Sequence, residues 1–182
     1  MEKVLALVIT DKNVGGMLKY IQKTVSDFKI DYPPHITIRG PYTSRNISKK
    51  TLDNTKKKME KMEAITLSQI NYFITNNFYT VYISVQNDVL REMSFKRDYP
   101  MYRYGFNPHV TLCKTRSHEK ANKLRNSLNE KNITFTVTVN NLELLTLDLE
   151  KGLDIYNNNY ALYEELRNDE CYWEIIKVIN QL

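Results

Sequence analysis

Two short stretches decide how this chain reads: Pro34-His35-Ile36-Thr37-Ile38 and Pro108-His109-Val110-Thr111-Leu112. The chain has three histidines, and two of them stand in the same Pro-His-apolar-Thr-apolar frame. Threonine is 15 of 182 residues, so chance would put Thr two places after two of three histidines only about 2% of the time. In a strand, residues i and i+2 share one face while i+1 and i+3 share the other. Ile36/Ile38 and Val110/Leu112 are therefore expected to anchor in a core, with each His-Thr pair projecting together into a cleft.

Working outward, each stretch has a strand and helix before it and a helix after it. Lys3 to Thr10 reads as a buried strand. Val14, Leu18, Ile21, Val25 and Phe28 recur at helical spacing. Ser48 is a plausible N-cap for a Lys-rich helix to about Met62, with Leu52, Met59 and Met62 inward. Ile65–Thr75 and Phe78–Gln86 read as strands joined by a turn at Asn76-Asn77. A short helix over Asp88–Phe95 leads to an aromatic loop, Tyr99–Phe106. Ser117 caps a helix with Ala121, Leu124 and Leu128 inward. Residues 133–139 and 145–149 alternate as strands, and Trp173–Ile179 is expected to be a closing strand, with a helix as the alternative. The pattern predicts an α+β fold in one domain, 1–182. Two small sheets should face each other across a cleft, and the order of elements is duplicated between the two halves.

Composition narrows the function. Hydrophobic residues make up 42% and charged residues 26%, ordinary globular values that exclude a fibrous or disordered chain. The longest apolar run, Val4–Ile9, is far short of the roughly 20 residues of a membrane span. Glu2 spoils the basic start of a secretory signal. Cys113 and Cys171 are two cysteines with no disulfide framework, which suits reduced thiols of a cytoplasmic protein. The net charge is +5, unevenly spread: Arg39–Lys61 holds eight basic and two acidic residues, Glu143–Glu174 nine acidic and two basic. A basic first third suits an anionic partner such as a nucleotide or short RNA, although Lys-rich helix faces are more often simply solvated.

Imidazole, with an ordinary pKa near 6.5, suits both halves of acid–base chemistry near neutral pH. One histidine would take a proton from a ribose hydroxyl or water and the other would give one to the leaving oxygen. The Thr37 and Thr111 hydroxyls would donate to non-bridging phosphate oxygens. Arg39 and Lys114, just past the motif threonines, are expected toward the cleft mouth. Tyr42 and one of Tyr104 or Phe106 are candidates for stacking on a base. His118 is expected to be exposed at a helix start. Cys113 is a weak nucleophile candidate, placed by alternation on the histidine face. No Cys/His cluster has zinc spacing and no Gly-rich loop has phosphate-binding form, so no metal or cofactor is expected.

The segments PPHITIRGPY and NPHVTLCK resemble the paired signatures of the two-histidine (2H) phosphoesterase superfamily. That group includes LigT-like RNA 2′,5′-ligases and 2′,3′-cyclic nucleotide phosphodiesterases. The resemblance covers most of the chain, the 74-residue separation of the histidines included; the acidic, Asn-rich stretch after about residue 150 is not matched. It implies a bilobal fold with pseudo-two-fold duplication, two antiparallel sheets facing a central cleft with helices outside, and metal-independent chemistry on 2′,3′-cyclic phosphates or 2′-5′ linkages of a nucleotide or short oligonucleotide. His35 and His109 then form the acid/base pair, and Thr37 and Thr111 hold the phosphate. Such a protein would act as a monomer away from membranes. Two alternatives stand beside it: an enzyme degrading cyclic or 2′-5′ oligonucleotide messengers, and a non-catalytic RNA or nucleotide sensor on the same fold.

Overall fold

The computed structural model describes residues 3–42, 47–95, 99, 105–148 and 170–182. Its order is β1 (Lys3–Ile9), α1 (Lys12–Val25), β2 (His35–Tyr42), α2 (Lys49–Met59), β3 (Ala64–Thr75), β4 (Phe78–Gln86), α3 (Asp88–Met93), β5 (His109–Thr115), α4 (His118–Glu130), β6 (Thr134–Thr138) and β7 (Leu142–Asp148), closing with α5 (Glu170–Ile179). The strands form two antiparallel sheets, β2-β1-β7 and β5-β4-β3-β6. This is the expected α+β architecture.

Local chemistry explains the element ends. Asp11, Ser48 and Ser117 each accept a backbone N–H three residues on and start α1, α2 and α4, offsetting donors that a helix leaves unpaired. Asn76 and Asn77 turn the β3–β4 hairpin with φ of 50° and 65°, a left-handed conformation that asparagine tolerates. The α4 stripe Ala121, Leu124, Leu128 is buried as its spacing predicts.

One element differs in kind. Trp173–Ile179, expected as a strand, lies in helix α5. Tyr172, Ile175, Ile176 and Ile179 are buried, a 3-1-3 spacing that a helix puts on one face. The isoleucine and valine content favoured a strand, but packing against the core overrode it. Tyr172 stacks on Phe135 of β6, ring centroids 6.0 Å apart.

The main core joins both sheets. Leu7, Ile36 and Ile38 from the first meet Val81, Ile83, Val110 and Leu112 from the second, under Leu18 and Ile21 of α1. Burying such side chains is worth roughly 1.5–3 kcal/mol each. On the other face of the first sheet, Val4, Ala6, Val8 and Leu147 form a smaller apolar cluster. β2 and β5 are the edge strands of their sheets and pack beside each other. That brings the two motif strands together. Among the described residues, no helix is long and apolar enough to cross a membrane.

Candidate active site

The two motif strands are built alike down to single hydrogen bonds. His35 Nδ1 lies 2.9 Å from the Pro33 carbonyl oxygen and His109 Nδ1 lies 2.7 Å from that of Asn107. A carbonyl only accepts, so each Nδ1 carries the hydrogen and each Nε2 keeps its lone pair. The prolines that precede the histidines have matching roles: Pro34 O accepts from Ile9 N and Pro108 O from Val85 N, both at 3.0 Å. The residue before each histidine is thus pinned to the neighbouring strand, and the one before that fixes the ring.

Facing residues share a side of a sheet. His35 pairs with Val8 and Thr37 with Ala6, both fully buried, so the first pair stands on an apolar bed. His109 pairs with Ser84 and Thr111 with Tyr82. Phe73 and Tyr82 flank the His109 ring, with centroids 5.5 and 4.9 Å away, and Tyr32 meets the His35 ring edge-on at 5.1 Å. Among the described residues, neither Nε2 and neither motif threonine hydroxyl has a hydrogen-bond partner.

These surroundings set the charge state. Desolvation takes His35 down to about 4, and the neighbouring His109 and Lys114 charges act the same way against the opposing Pro33 hydrogen bond. His109 is lowered too, by desolvation first and then by Lys114. Both rings are therefore neutral near pH 7 until a negative group arrives.

A bulge at the same place in both strands redirects the residues beyond the threonines. The β1–β2 register slips between Ala6↔Thr37 and Leu5↔Arg39, and the β4–β5 register between Tyr82↔Thr111 and Val81↔Cys113. One extra residue, Ile38 or Leu112, breaks the alternation. Arg39 is accordingly turned inward: it is 5% exposed, and its Nη1 donates to Met93 O and Phe95 O at 2.9 and 3.0 Å. Its Nε donates to the hydroxyl of Tyr42, itself 5% exposed. The expected cleft-mouth place of Arg39 and the expected stacking role of Tyr42 give way to a structural lock on the end of α3, where a cation complements the last carbonyls. Gly40 comes next at φ +122°, and a β-carbon there would sit 3.1 Å from Lys3 O and Val4 Cα.

The same bulge moves Cys113 from the histidine face to the core. It is fully buried, and burial pushes its thiol up to about 11, which disables it as a nucleophile. Lys114 is three residues past Thr111, a spacing that alternation alone sends to the opposite face. The bulge returns it to the histidine side, where its charge acts on both rings and its Nζ lies 5.7 Å from the Tyr32 ring centre. Phe106 packs, partly buried, against the main core. Tyr104 lies outside the described residues. His118 is exposed as expected, held at Nε2 by the Tyr72 hydroxyl and the Asn122 amide.

The sequence reading missed the residues that hold the two strands in place. Lys19 of α1, 4% exposed, donates to Ile30 O at 2.7 Å and Tyr32 O at 2.9 Å, fixing the segment that delivers His35. One turn on, Gln22 Nε2 donates to Thr111 O at 2.7 Å. Past the helix end, Ser26 Oγ accepts from Lys114 N, and Asp27 accepts from Thr115 Oγ1, Arg116 N and Lys120 Nζ. Those bonds hold Asp27 down at about 2. The signal was faint: Lys19 and Gln22 each directly follow an apolar stripe residue, Leu18 and Ile21. Phe73 and Tyr82 needed the strand registers to be seen.

Two neutral imidazoles stand on edge strands that pack side by side, each with a threonine two residues on, and such groups are chemically able to take and give protons. The sequence model of the 2′-5′ RNA ligase superfamily matches residues 30–151, a span that holds both motifs. The chain belongs to this superfamily, within the two-histidine phosphoesterases. No curated protein matches the chain. The family points to phosphodiesterase or ligase chemistry on RNA or nucleotides.

Proposed function

We propose that the protein is a metal-independent phosphodiesterase that cleaves 2′,3′-cyclic phosphates or 2′-5′ phosphodiester bonds in nucleotides and short oligonucleotides. The observation that supports this reading is the matched pair of Nδ1–carbonyl bonds on two strands that pack together, which leaves each Nε2 free for acid–base work. Docking the phosphate supplies the negative charge that the neutral pair lacks and favours the state with one ring protonated. One Nε2 then removes a proton from water, whose oxygen attacks phosphorus as the bond to the ribose oxygen breaks. The other Nε2–H gives its proton to that leaving oxygen, so a 2′,3′-cyclic phosphate opens to a monoester and a hydroxyl. On a 2′-5′ linkage the attacking group is the adjacent 3′-hydroxyl, the products are a cyclic phosphate and a free 5′-hydroxyl, and proton traffic is the same. Thr37 and Thr111 hold the non-bridging oxygens as charge builds, with Lys114 as the nearest cation. The reversed sequence of steps is ligation. Cytoplasmic location, a single domain and a monomeric state belong to the same proposal, and the buried free thiol of Cys113 suits a reducing compartment.

The test is mass spectrometry of products after incubation in EDTA with 2′,3′-cyclic nucleotides, 2′-5′ and 3′-5′ oligoadenylates, and cyclic di- and trinucleotides. Cleavage that falls roughly 10²–10⁴-fold in His35→Ala and in His109→Ala supports the reading. Consumption confined to cyclic or 2′-5′ oligonucleotides would assign the protein to second-messenger degradation. Binding without any product would replace the enzyme with a sensor on the same fold.

A further inference from the structure

Off the end of β2 lies a groove of about 620 Å³ between α2 and α3, lined among others by Thr51, Asn54, Lys57, Lys58, Lys61 and Phe95. The inward face of a surface helix is ordinarily apolar. The face that α2 turns here is polar and basic instead, with Thr55 the one residue of the helix that is buried. Lys57, Lys58 and Lys61 lie at i, i+1 and i+4, so three like charges converge on the same hollow, a costly arrangement without a counter-charge. Lys58 Nζ reaches the Glu92 carbonyl oxygen, but Lys57 and Lys61 have no partner among the described residues. Asp53 and Glu60 of the same segment are exposed and do not line the groove.

The second observation is Phe95, 68% exposed, the most exposed large apolar side chain among the described residues. It stands between this groove and an adjoining hollow of about 470 Å³ that holds Arg91 and Lys58 beside Asp88 and Glu92. Arg39, locked on the Met93 and Phe95 carbonyls, fixes the backbone that presents that ring. A phenyl ring in water beside unpaired ammonium groups is the pairing that single-stranded nucleic acid uses, phosphates on the cations and a base on the ring.

We propose that this groove is a second, non-catalytic site for single-stranded RNA, with Lys57 and Lys61 on consecutive phosphates and one base stacked on Phe95. It rests on the phosphodiesterase reading only in that both ligands are RNA. Arg39 is four residues from His35, roughly 13 Å along a strand, so a mononucleotide at the histidines does not reach the groove and a longer strand has the length to do so. The site would therefore favour oligonucleotides over mononucleotides without altering the chemical step.

The experiment is fluorescence anisotropy of a labelled 2′-O-methyl RNA, about 12 nucleotides long to cover one such binding face and resistant to cleavage through its 2′ position. The intact protein is compared with a Lys57→Glu/Lys61→Glu double variant and with Phe95→Ala, all exposed positions that folding does not need. We expect at least tenfold weaker binding in the double variant and a salt slope smaller by about 1.4, at roughly 0.7 per lost phosphate contact. Phe95→Ala should weaken binding about fivefold or more, while turnover of a 2′,3′-cyclic mononucleotide stays unchanged in both. Equal affinity in all three proteins overturns the proposal. So does polyglutamate competing as well as RNA, which would make the occupant an acidic polypeptide. If no mononucleotide is turned over yet the groove variants still lose RNA, the catalytic reading fails and the groove stands.

Discussion

Gln22 Nε2 donates to the carbonyl oxygen of Thr111 across 2.7 Å, linking residues 89 apart in the chain. Helix α1 leads into the first motif strand, yet it holds the second. With Lys19 on the Ile30 and Tyr32 carbonyls one turn earlier, a single rigid helix sets the spacing of the two histidines. Gln22 Oε1 meanwhile is buried with no partner among the described residues.

Replacing Gln22 by Met keeps the bulk, removes that unpaired acceptor and strands the Thr111 carbonyl. The net change in stability should be small, roughly 1 kcal/mol or less, because one unsatisfied group is exchanged for another. Turnover should fall more than stability does, since Thr111 and His109 lose their tie to α1. Chemical denaturation beside steady-state kinetics checks this. Parallel losses of both would reduce Gln22 to an ordinary core residue.

The lowered pKa of His35 carries a signed stability effect. Its folded value of about 4 lies below the ordinary 6.5, so the unfolded chain binds the proton first as pH falls. The contribution is intact above pH 6.5 and is lost between there and pH 4, where it amounts to roughly 3 kcal/mol. His109 is lowered as well and adds in the same direction. Urea unfolding midpoints of the intact protein should drop over this window and those of His35→Gln should drop less. A variant as acid-sensitive as the parent would place the effect elsewhere.

Lys114 pushes both histidines down, so Lys114→Ala should raise both in the free protein. The same variant should bind a phosphate monoester several-fold more weakly. In the intact protein that ligand should move both imidazoles up, because its charge favours the protonated ring. Nuclear magnetic resonance titration of the histidine Cε1–H signals, with and without ligand, reads all three shifts. Unmoved imidazoles on ligand binding would mean that the phosphate sits away from them.

Thr37→Val and Thr111→Val keep the β-branched shape and delete hydroxyls that have no partner among the described residues. Each should slow catalysis by about 10²-fold, the scale for losing one donor to a developing oxyanion. Melting temperature should scarcely change. A large thermal loss with normal turnover would assign the threonines to strand structure instead.

Much of the fold was legible because periodicity reports local burial. The stripe on α4, the Asn76-Asn77 turn, the Ser48 and Ser117 caps and the alternation of β6 all depend on contacts within a few residues. α5 was misread because its Ile- and Val-rich segment satisfies a strand propensity, and only docking against Phe135 and the core selects the helix. Arg39 and Cys113 were misplaced for a different reason. A bulge adds one residue against a partner strand, and a single sequence does not record its partner's register.

By itself the sequence determined the chemistry on offer: two imidazoles, each with a threonine on the same side, on strands whose other side is apolar. Period-two geometry comes from the backbone alone, so no tertiary contact was needed to read it. The tertiary structure decided everything set by strands meeting at a distance. It chose that β2 and β5 pack beside each other, that α1 braces both motif strands, and that Lys114 stands on the histidine side while Arg39 is spent on α3. Those outcomes depend on register and on which buried carbonyls remain to be satisfied, and neither exists until the two sheets have packed.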